Sequence, residues 1–525
     1  MLLRAFFKWL IRVLPRIFRW VLPGLLVGVL VGCGTVPGSA MHDEAGTDAS
    51  SCRRWYANLD RLVRQLGVED VQDARLEGFP QLRQSRFVAS FRTQAQKDDA
   101  AFDAWFDQMR KLGDQGSAVE MRNVPVSAWR SMLPLASKDA RAEAVAKTRA
   151  CAEQLSRDDR LKPERRALLL AQAGVPDSYS TTARVLGLYA LTRWPFSAGV
   201  RRWQEETAAV FAHPSDGSAA IGGARYVPEG ERADDPDSDL QQVERDALGI
   251  PQLSDSLKQR LLDHHAPVLR LASMAPFDRL GEIVLTHEGR PEVVPDRHVV
   301  YRRVAFVRDG PSTLVQLVYL YWFSERPKNG PLDLLGGTLD GVMWRVTLDE
   351  RGRPLVYDTA HACGCYHMFF PTGQLVVRPA PEPGVEWAFV PSLAPQRGAG
   401  ERIDLRLDPG THYLSAVSST SDLTGTPYIA LDADQLRSLP LGLSTNGDDD
   451  RRSLYGPDGI VAGTQRGERY LFWPMGVRDA GAQRQWGHHA TAFVGRRHFD
   501  DPDLIERRFR RIAADGLNGG RMTDP

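Results

Sequence analysis

The chain has 525 residues, 42% of them hydrophobic and 25% charged, which suggests two or three domains and excludes wholesale disorder, a collagen-like repeat and a multi-span membrane protein. Basic and acidic residues number 66 each, but the first 32 residues hold five of the cations and no acid, which leaves 61 basic against 66 acidic residues in the remainder. That remainder is mildly acidic and lacks the basic surface that nucleic acids require, so we expect no nucleic-acid partner.

The amino terminus has the three parts of an export signal. Cations and large apolar residues alternate up to Arg19, and the run from Trp20 to Gly32 is uncharged. As a helix this run would span only about 20 Å, less than the ~30 Å hydrocarbon core of a bilayer. A basic region, a short apolar region and small residues at its end are typical of a secretory signal. We therefore predict a signal peptide at residues 1–32.

The end of this segment, Leu30-Val31-Gly32-Cys33, resembles the lipobox of bacterial lipoproteins. The resemblance implies that Cys33 is acylated, becomes the first residue after cleavage and anchors the chain to the cell-envelope membrane, facing the periplasm. Residues 33–50 are then a flexible tether. Gly34 stands where the family's sorting rule uses aspartate for inner-membrane retention, so the resemblance favours the outer membrane. The alternative is an uncleaved anchor in which Cys33 is an incidental thiol.

Residues 51–212 are predicted to form a helical domain, because apolar residues recur there at helical spacing. We interpret these apolar stripes as core packing rather than as cofactor contacts. The predicted helical segments are 52–66, 98–112, 138–156, 163–173 and an apolar stretch from 183 to 191 that Trp194-Pro195 is expected to end. Residues 213–260 hold few apolar residues and many acids, which is typical of a solvated connector.

Residues 261–516 are predicted to form a β-rich domain, followed by a tail at 517–525. Two hairpins are expected, one turning at Asp309-Gly310-Pro311 and one at Gly352, and the strand 313–323 is apolar on both faces, as in a central strand. Shorter strands are predicted at 374–378, 385–390, 402–407, 411–417 and 468–473, and a last helix at 502–514. The fold class is therefore α+β, a helical domain followed by a mostly antiparallel, sandwich-like β domain.

Two cysteines of the helical segment, Cys52 and Cys151, are predicted to form a disulfide. An exported protein meets an oxidising compartment, where paired cysteines oxidise. The alternative is two buried free thiols. This pairing leaves Cys363 and Cys365 in the β-rich segment.

The densest chemistry lies at His361, Cys363, Cys365 and His367, two imidazoles and two thiols within seven residues. Strand alternation would place all four on one face, and these ligand types favour zinc or copper. In an extended strand the outer histidines lie ~20 Å apart, so one ion could take all four only if the chain folds back at Gly364. Two or three local ligands with a distant one is more economical. The candidate distant ligands are His264, His265, His412, His488 and His489.

The same segment allows other interpretations. Cys363 and Cys365 could form a redox-active disulfide, or could be packed cysteines without chemistry. A Cys363 nucleophile with His361 or His367 as its base ranks below these. The first hypothesis for the function is a cell-envelope lipoprotein with a transition-metal site. The second is a scaffold or ligand-binding lipoprotein, and the third is a thiol-redox or hydrolytic enzyme. The sequence indicates no particular protein partner.

Overall fold

The computed structural model describes residues 48–132, 139–213, 223–230, 236–442 and 450–512. The predicted signal peptide, Cys33, the tether up to residue 47 and the predicted tail lie outside the described residues. Within the described ranges, no helix combines the length and the apolar content that crossing a bilayer requires.

The α+β fold class is confirmed, with helices concentrated before residue 213 and strands after it. The helices are α1 Ala49–Leu66, α2 Arg86–Ala89, α3 Arg92–Lys97, α4 Asp99–Asn123, α5 Val126–Met132, α6 Ala140–Leu161, α7 Pro163–Gln172, α8 Thr181–Leu186, α9 Tyr189–Ala212, α10 Asp237–Gln241, α11 Asp255–His264, α12 Arg469–Phe472 and α13 Leu504–Arg508. The strands are β1 Ala74–Leu76, β2 Phe79–Gln84, β3 Ala224–Pro228, β4 Val268–Leu271, β5 Glu282–Leu285, β6 Pro291–Val294, β7 Val299–Asp309, β8 Ser312–Arg326, β9 Gly337–Leu348, β10 Pro354–His361, β11 Met368–Pro371, β12 Leu375–Val377, β13 Arg402–Leu407, β14 Leu414–Thr420, β15 Thr426–Asp432, β16 Leu439–Pro440, β17 Arg451–Arg452 and β18 Phe509–Arg511.

The helical half begins with a well-capped helix and is stapled by the predicted disulfide. The side chain of Asp48 accepts a hydrogen bond from the Ser51 amide at the start of α1, and Gly67 ends the helix in the left-handed conformation. The apolar face of α1 packs into a buried core that it shares with α6. In that core a disulfide joins Cys52 of α1 to Cys151 of α6.

Ten strands form one mixed sheet in the order β11-β10-β9-β8-β7-β15-β3-β4-β13-β14. Both predicted hairpins, β7–β8 and β9–β10, are confirmed, and Gly310 and Gly352 take the positive φ angles of 61° and 84° that their turns require. Strand β8 is buried along most of its length, as its apolar sequence predicts. The pairs β3–β15, β7–β15 and β4–β13 are parallel, and the other neighbours are antiparallel.

Three predicted elements differ from the structure. Residues 385–390 form no strand, because their two backbone hydrogen bonds, between Glu386 and Val494 and between Phe369 and Phe389, go to different segments and form no continuous ladder. Residues 468–473, predicted as a strand, contain α12, since the Leu471 and Phe472 amides both donate to the Glu468 carbonyl and close a helical turn. The last helix is shorter than predicted, because α13 ends at Arg508 and the chain continues as β18, which pairs with β12.

Two further expectations from local sequence also differ from the structure. Helix α9 runs through Pro195, which was expected to end it. The carbonyl that loses its helical donor there belongs to Leu191, a residue 69% exposed, so water can pair with it. Strand β3 lies within the segment 213–260 that was predicted to be a connector, and it pairs with β4 and β15 inside the sheet.

Candidate functional site

The segment His361–His367 folds back on itself between β10 and β11. The His361 amide donates to the Cys365 carbonyl at 3.0 Å, and the Gly364 amide donates to the His361 carbonyl at 2.7 Å. Gly364 has a φ of +92°, and a Cβ there would lie 2.4 Å from the carbonyl oxygen of Ala490. Only glycine fits this position. The chain thus folds back at Gly364, the position at which the sequence allowed it to do so.

Because of this turn, the four predicted ligands do not share one face. In β10 the side chains of Asp358 and His361 point to opposite faces of the sheet, as residues three apart in a strand must. His367 pairs with Asp358, with 2.9 Å between its Nε2 and the carboxylate oxygen. His361 instead lines a cavity on the other face together with Thr359. The two histidines therefore lie near different carboxylates, His367 near Asp358 and His361 near Asp340.

His367 belongs to a fully buried structural network. Arg345 donates to both oxygens of Asp358, at 2.9 and 2.6 Å, and the His367 ring lies 5.3 Å from the ring of Phe499. Burial lowers the pKa of His367 to about 3, so the imidazole is neutral. This arrangement fixes β10 against β9 and gives no access to solvent.

His361 belongs to a second buried cluster that is centred on Asp340. The Asp340 carboxylate accepts from Arg466 at 2.8 Å and meets Nδ1 of His412 at 2.8 Å, and Nδ1 of His361 lies 3.6 Å away. The other ring nitrogen of His412 lies 3.2 Å from Asp278. His412 thus lies between the carboxylates of Asp278 and Asp340, and His361 lies between Asp340 and the cavity.

The charges in this cluster follow from its contacts. Burial alone would raise the pKa of Asp340, but the positive charge of Arg466 and the contact with His361 hold it well below its usual value. Burial would lower the pKa of His412, and its hydrogen bonds to Asp278 and Asp340 outweigh that effect and raise it. Burial lowers the pKa of His361. The cluster therefore pairs an ionised Asp340 with a cationic Arg466 and keeps His361 neutral.

Backbone strain concentrates around the same cluster. In the described part of the chain five residues other than glycine have positive φ angles, and three of them lie here: Leu339 at 53°, Tyr366 at 61° and His412 at 51°. Leu339 precedes Asp340 in β9, and the Tyr366 ring lies 5.0 Å from that of His361. Left-handed backbone is costly for bulky residues, and such strain is concentrated at functional sites.

The two thiols lie together inside the turn. The Cys365 amide donates to Sγ of Cys363 at 3.4 Å, and Cys363 is 3% exposed whereas Cys365 is partly exposed. A hydrogen bond from the Cys365 thiol lowers the pKa of Cys363, and the same bond, with burial, raises the pKa of Cys365 well above its usual value. The charges of Arg466 and Arg484 also favour thiolate at Cys363.

The predicted distant ligands are distributed over the molecule. His412 joins His361 through Asp340, whereas the others have separate surroundings. Nε2 of His488 donates to the Val71 carbonyl at 2.7 Å, and His489 lies beside Phe499, where burial lowers its pKa to about 3. His264 and His265 end α11. Among the described residues, no three His, Cys, Asp or Glu side chains meet in a group suited to hold a metal ion.

A cleft of about 190 Å³ lies between α9 and the strand ends near His361. Helix α9 contributes one face, on which the lining residues recur at helical spacing: Trp203, Glu206, Thr207 and Val210. The opposite wall consists of Val342, Thr359, His361, Tyr366, Met368, Asp408, Tyr413, Leu414 and Ser415. The described lining thus holds two carboxylates and no lysine or arginine.

Aromatic rings form the floor of this cleft. The rings of Tyr366 and Tyr413 lie 4.4 Å apart, and Trp203 lies 5.5 Å from Tyr366. Arg326 donates to the Tyr413 hydroxyl at 3.0 Å and its guanidinium lies 4.8 Å from the centre of that ring, so one face of Tyr413 already meets a cation. Hydrogen bonding and ring contacts therefore hold this wall in one arrangement, and the cleft is preformed.

Sequence reasoning missed most of these residues. Asp340 carried a usable signal, since it is the one acid of the mainly apolar strand β9, and Trp203 belongs to a helical stripe. Tyr366 and Tyr413 gave no local signal. Comparison with protein-family models, with curated proteins and with solved structures found no match for this chain, so its function has to be argued from these residues.

Proposed function

We propose that this chain is a bacterial cell-envelope lipoprotein that binds a small organic cation, an ammonium compound, in the cleft beside α9. The lipobox Leu30–Cys33 supports an anchor at Cys33, with the outer membrane favoured and the folded chain facing the periplasm. The disulfide between Cys52 and Cys151 is consistent with that oxidising compartment.

The observation that carries the choice of ligand is the chemistry of the cleft lining. Aromatic faces attract cations, and Trp203, Tyr366 and Tyr413 lie around one small space. Glu206 and Asp408 add negative charge, and Glu206 already accepts from Arg202 at 2.9 Å. Asp408 is then the carboxylate that would meet the cation.

Calorimetry on the full-length protein in detergent tests the ligand class. Choline and its uncharged isostere 3,3-dimethylbutan-1-ol have nearly the same shape, so only the charge distinguishes them. We expect heat of binding from choline and none from the alcohol. Equal binding of both compounds would show a merely apolar pocket, and binding of neither compound would contradict the proposal.

Two variants localise the binding. Trp203→Leu and Asp408→Asn should each weaken choline binding about tenfold, since a cation–π or ion-pair contact in a partly desolvated site contributes roughly 1–2 kcal/mol. Asp255→Asn, which changes an exposed acid on α11, is the matched control and should bind like the parent. Unchanged affinity in both cleft variants would place the ligand elsewhere.

The anchor is tested separately. Cys33→Ala should block incorporation of labelled palmitate and cleavage of the signal peptide, because both reactions require the cysteine. Detection of the label in this variant would contradict lipidation at Cys33 without affecting the argument for the cleft.

A further inference from the structure

A patch of exposed apolar side chains lies on α8, the start of α9 and the segment after α12. Its members, here called the α8–α9 patch, are between 44% and 71% exposed: Val185, Leu186, Leu188, Leu191, Trp194 and Trp473. They form one surface because the segment after α12 packs directly against α8: Arg184 donates to the Met475 carbonyl at 2.8 Å. A Cβ on Gly187 would lie 2.5 Å from the Cβ of Pro474.

The patch is unusual both in composition and in backbone. Trp194 and Trp473 are the exposed tryptophans of the described residues. Leu188 has a φ of 49° and is 63% exposed, so a strained backbone holds a leucine in solvent. Contiguous apolar surface of this kind marks an interaction site, since soluble proteins bury such residues.

We infer that the α8–α9 patch docks on the surface of a phospholipid bilayer, an inference that rests on the proposed lipid anchor. Tryptophan, tyrosine and leucine with flanking arginine are the residues that enter the headgroup region of membranes. Arg193 lies 5.2 Å from the Trp194 ring, and Arg469 lies 4.8 Å from the ring of Tyr470, which is 68% exposed. Both arginines lie within 4 Å of an acid of this chain, so the docking rests on the apolar side chains and the aromatic rings rather than on charge.

The length of the tether favours a bilayer as the occupant over a second copy or another protein. Fourteen residues lie between Cys33 and Asp48, so the chain between them reaches at most ~50 Å. An anchored domain is therefore always near the bilayer, and a weak apolar contact is strengthened by this high local concentration. The later part of α9 lines the cleft, so docking would set the orientation of the cleft relative to the membrane.

Fluorescence of the full-length lipidated protein in vesicles tests the inference. Vesicles of phosphatidylethanolamine and phosphatidylglycerol with brominated acyl chains quench only tryptophans that enter the bilayer. We expect quenching in the parent and its loss in Trp194→Phe/Trp473→Phe. Leu188→Ser/Leu191→Ser should also reduce it, whereas Leu332→Ser, which changes an 81% exposed leucine of the β-rich half, should not.

Flotation with the vesicles separates the two proposals. Protein that floats without lipid-dependent quenching would overturn the docking surface and leave the anchor standing. Protein that fails to float would overturn the anchor, and the docking inference would then fall as well unless added vesicles still quench the two tryptophans. Protection of Trp194 and Trp473 from iodide that depends on protein concentration, in the absence of vesicles, would assign the patch to a second copy and overturn the inference.

Discussion

Burial changes the protonation of Glu468, which lies at the edge of the Asp340 cluster. This side chain is 3% exposed, and burial raises its pKa to about 7 against the opposing charges of Arg466 and Arg326. An acid whose folded-state pKa is raised contributes its stability below the unfolded pKa and loses it as the pH rises through the folded pKa. The contribution of Glu468 to stability should therefore fall between about pH 4.5 and pH 7, while the buried histidines with lowered pKa values act in the opposite direction.

Glu468→Gln should remove this contribution to the pH dependence. The amide stays neutral, so the variant should gain about 3 kcal/mol over the parent at pH 8, from roughly 1.4 kcal/mol per pKa unit. Denaturant unfolding at pH 5 and pH 8 measures the difference. Glu164→Gln, on the exposed start of α7, should keep the dependence of the parent. If the difference in unfolding free energy between pH 5 and pH 8 is the same in Glu468→Gln as in the parent, a group other than Glu468 causes it.

The thiol pair should behave as a dithiol. With oxidised glutathione, the Cys363 thiolate attacks one sulfur and releases a glutathione thiolate. Cys365 then loses its proton, attacks Cys363 and releases the second. The protein loses two hydrogen atoms, and one glutathione disulfide becomes two thiols. Intact mass should show this loss in the parent and a single glutathione adduct in Cys365→Ser. The reaction should be slow because Cys363 is buried.

Metal analysis of the same proteins tests the predicted zinc or copper site, which stays a prediction. Near-stoichiometric metal in the untagged parent, with loss in Cys363→Ser/Cys365→Ser, would support it and would contradict a Cys363–Cys365 disulfide in the resting protein, since a disulfide offers no thiolates. The positive charges of Arg466 and Arg484 beside Cys363 oppose a second cation there.

At the scale of elements, the disulfide between α1 and α6 should stabilise the helical half. It joins residues 99 positions apart in the sequence. A cross-link over a loop of that length removes conformational entropy from the unfolded chain, which stabilises the folded state by up to ~4.7 kcal/mol. Cys52→Ser/Cys151→Ser should therefore reduce the free energy of unfolding by about 3–5 kcal/mol. The double variant also buries two serine hydroxyls, whereas chemical reduction of the parent removes only the cross-link, so the comparison separates the two effects. Equal midpoints in reduced and oxidised parent would contradict this role.

Elements were predictable where the determining contacts are local. The α1 helix and the hairpins at Gly310 and Gly352 follow from periodicity and turn residues, and the structure confirms them. Strand β3 could not be predicted from the sequence, because its partners β4 and β15 come later in the chain and the residues around it are polar. The short apolar run at residues 470–473 did not distinguish a strand from the short helix that the structure has there.

The candidate site was predictable only in part, for the same reason. The density of donors at residues 361–367 is a local property, and it led to the right segment. The partners of His361 come from other strands: Asp340 lies in β9, and His412 precedes β14 and is 72 positions from Asp340. The sequence allowed a turn at Gly364, but the result that His361 and His367 lie on opposite faces depends on the register of the sheet.

At the scale of the whole molecule, buried ion pairs connect the helical and β-rich halves. Asp70, which follows α1, contacts Arg83 of β2 at 3.0 Å and Arg437 of the β-rich half at 2.6 Å. Gln485 donates to the same carboxylate at 3.2 Å, and Asn123 at the end of α4 donates to the Arg437 carbonyl at 2.8 Å. These contacts are almost inaccessible to solvent, so we expect the two halves to unfold together.

Removing the charge of Asp70 tests this coupling. Burial would raise the pKa of Asp70, but the charges of Arg437 and Arg83 outweigh it and lower the pKa. The stability that this carboxylate provides is therefore present above its unfolded pKa and is lost as the pH falls through the folded one. At pH 7, Asp70→Asn should cost about 3–5 kcal/mol, because two buried guanidinium groups lose their shared partner.

Urea unfolding followed by tryptophan fluorescence and by far-ultraviolet circular dichroism provides the measurement. The parent should give coincident transitions with both probes, since the ion pairs around Asp70 link both halves. Asp60→Asn, which breaks a pair with Arg75 whose side chains are about a quarter exposed, is the control and should cost less than Asp70→Asn, because Arg75 keeps Glu120 as a partner. Asp70→Asn should shift both transitions and separate them, because the less stable half no longer shares this contact. Separate transitions already in the parent, or a variant as stable as the control, would contradict the role of Asp70 as the link between the halves.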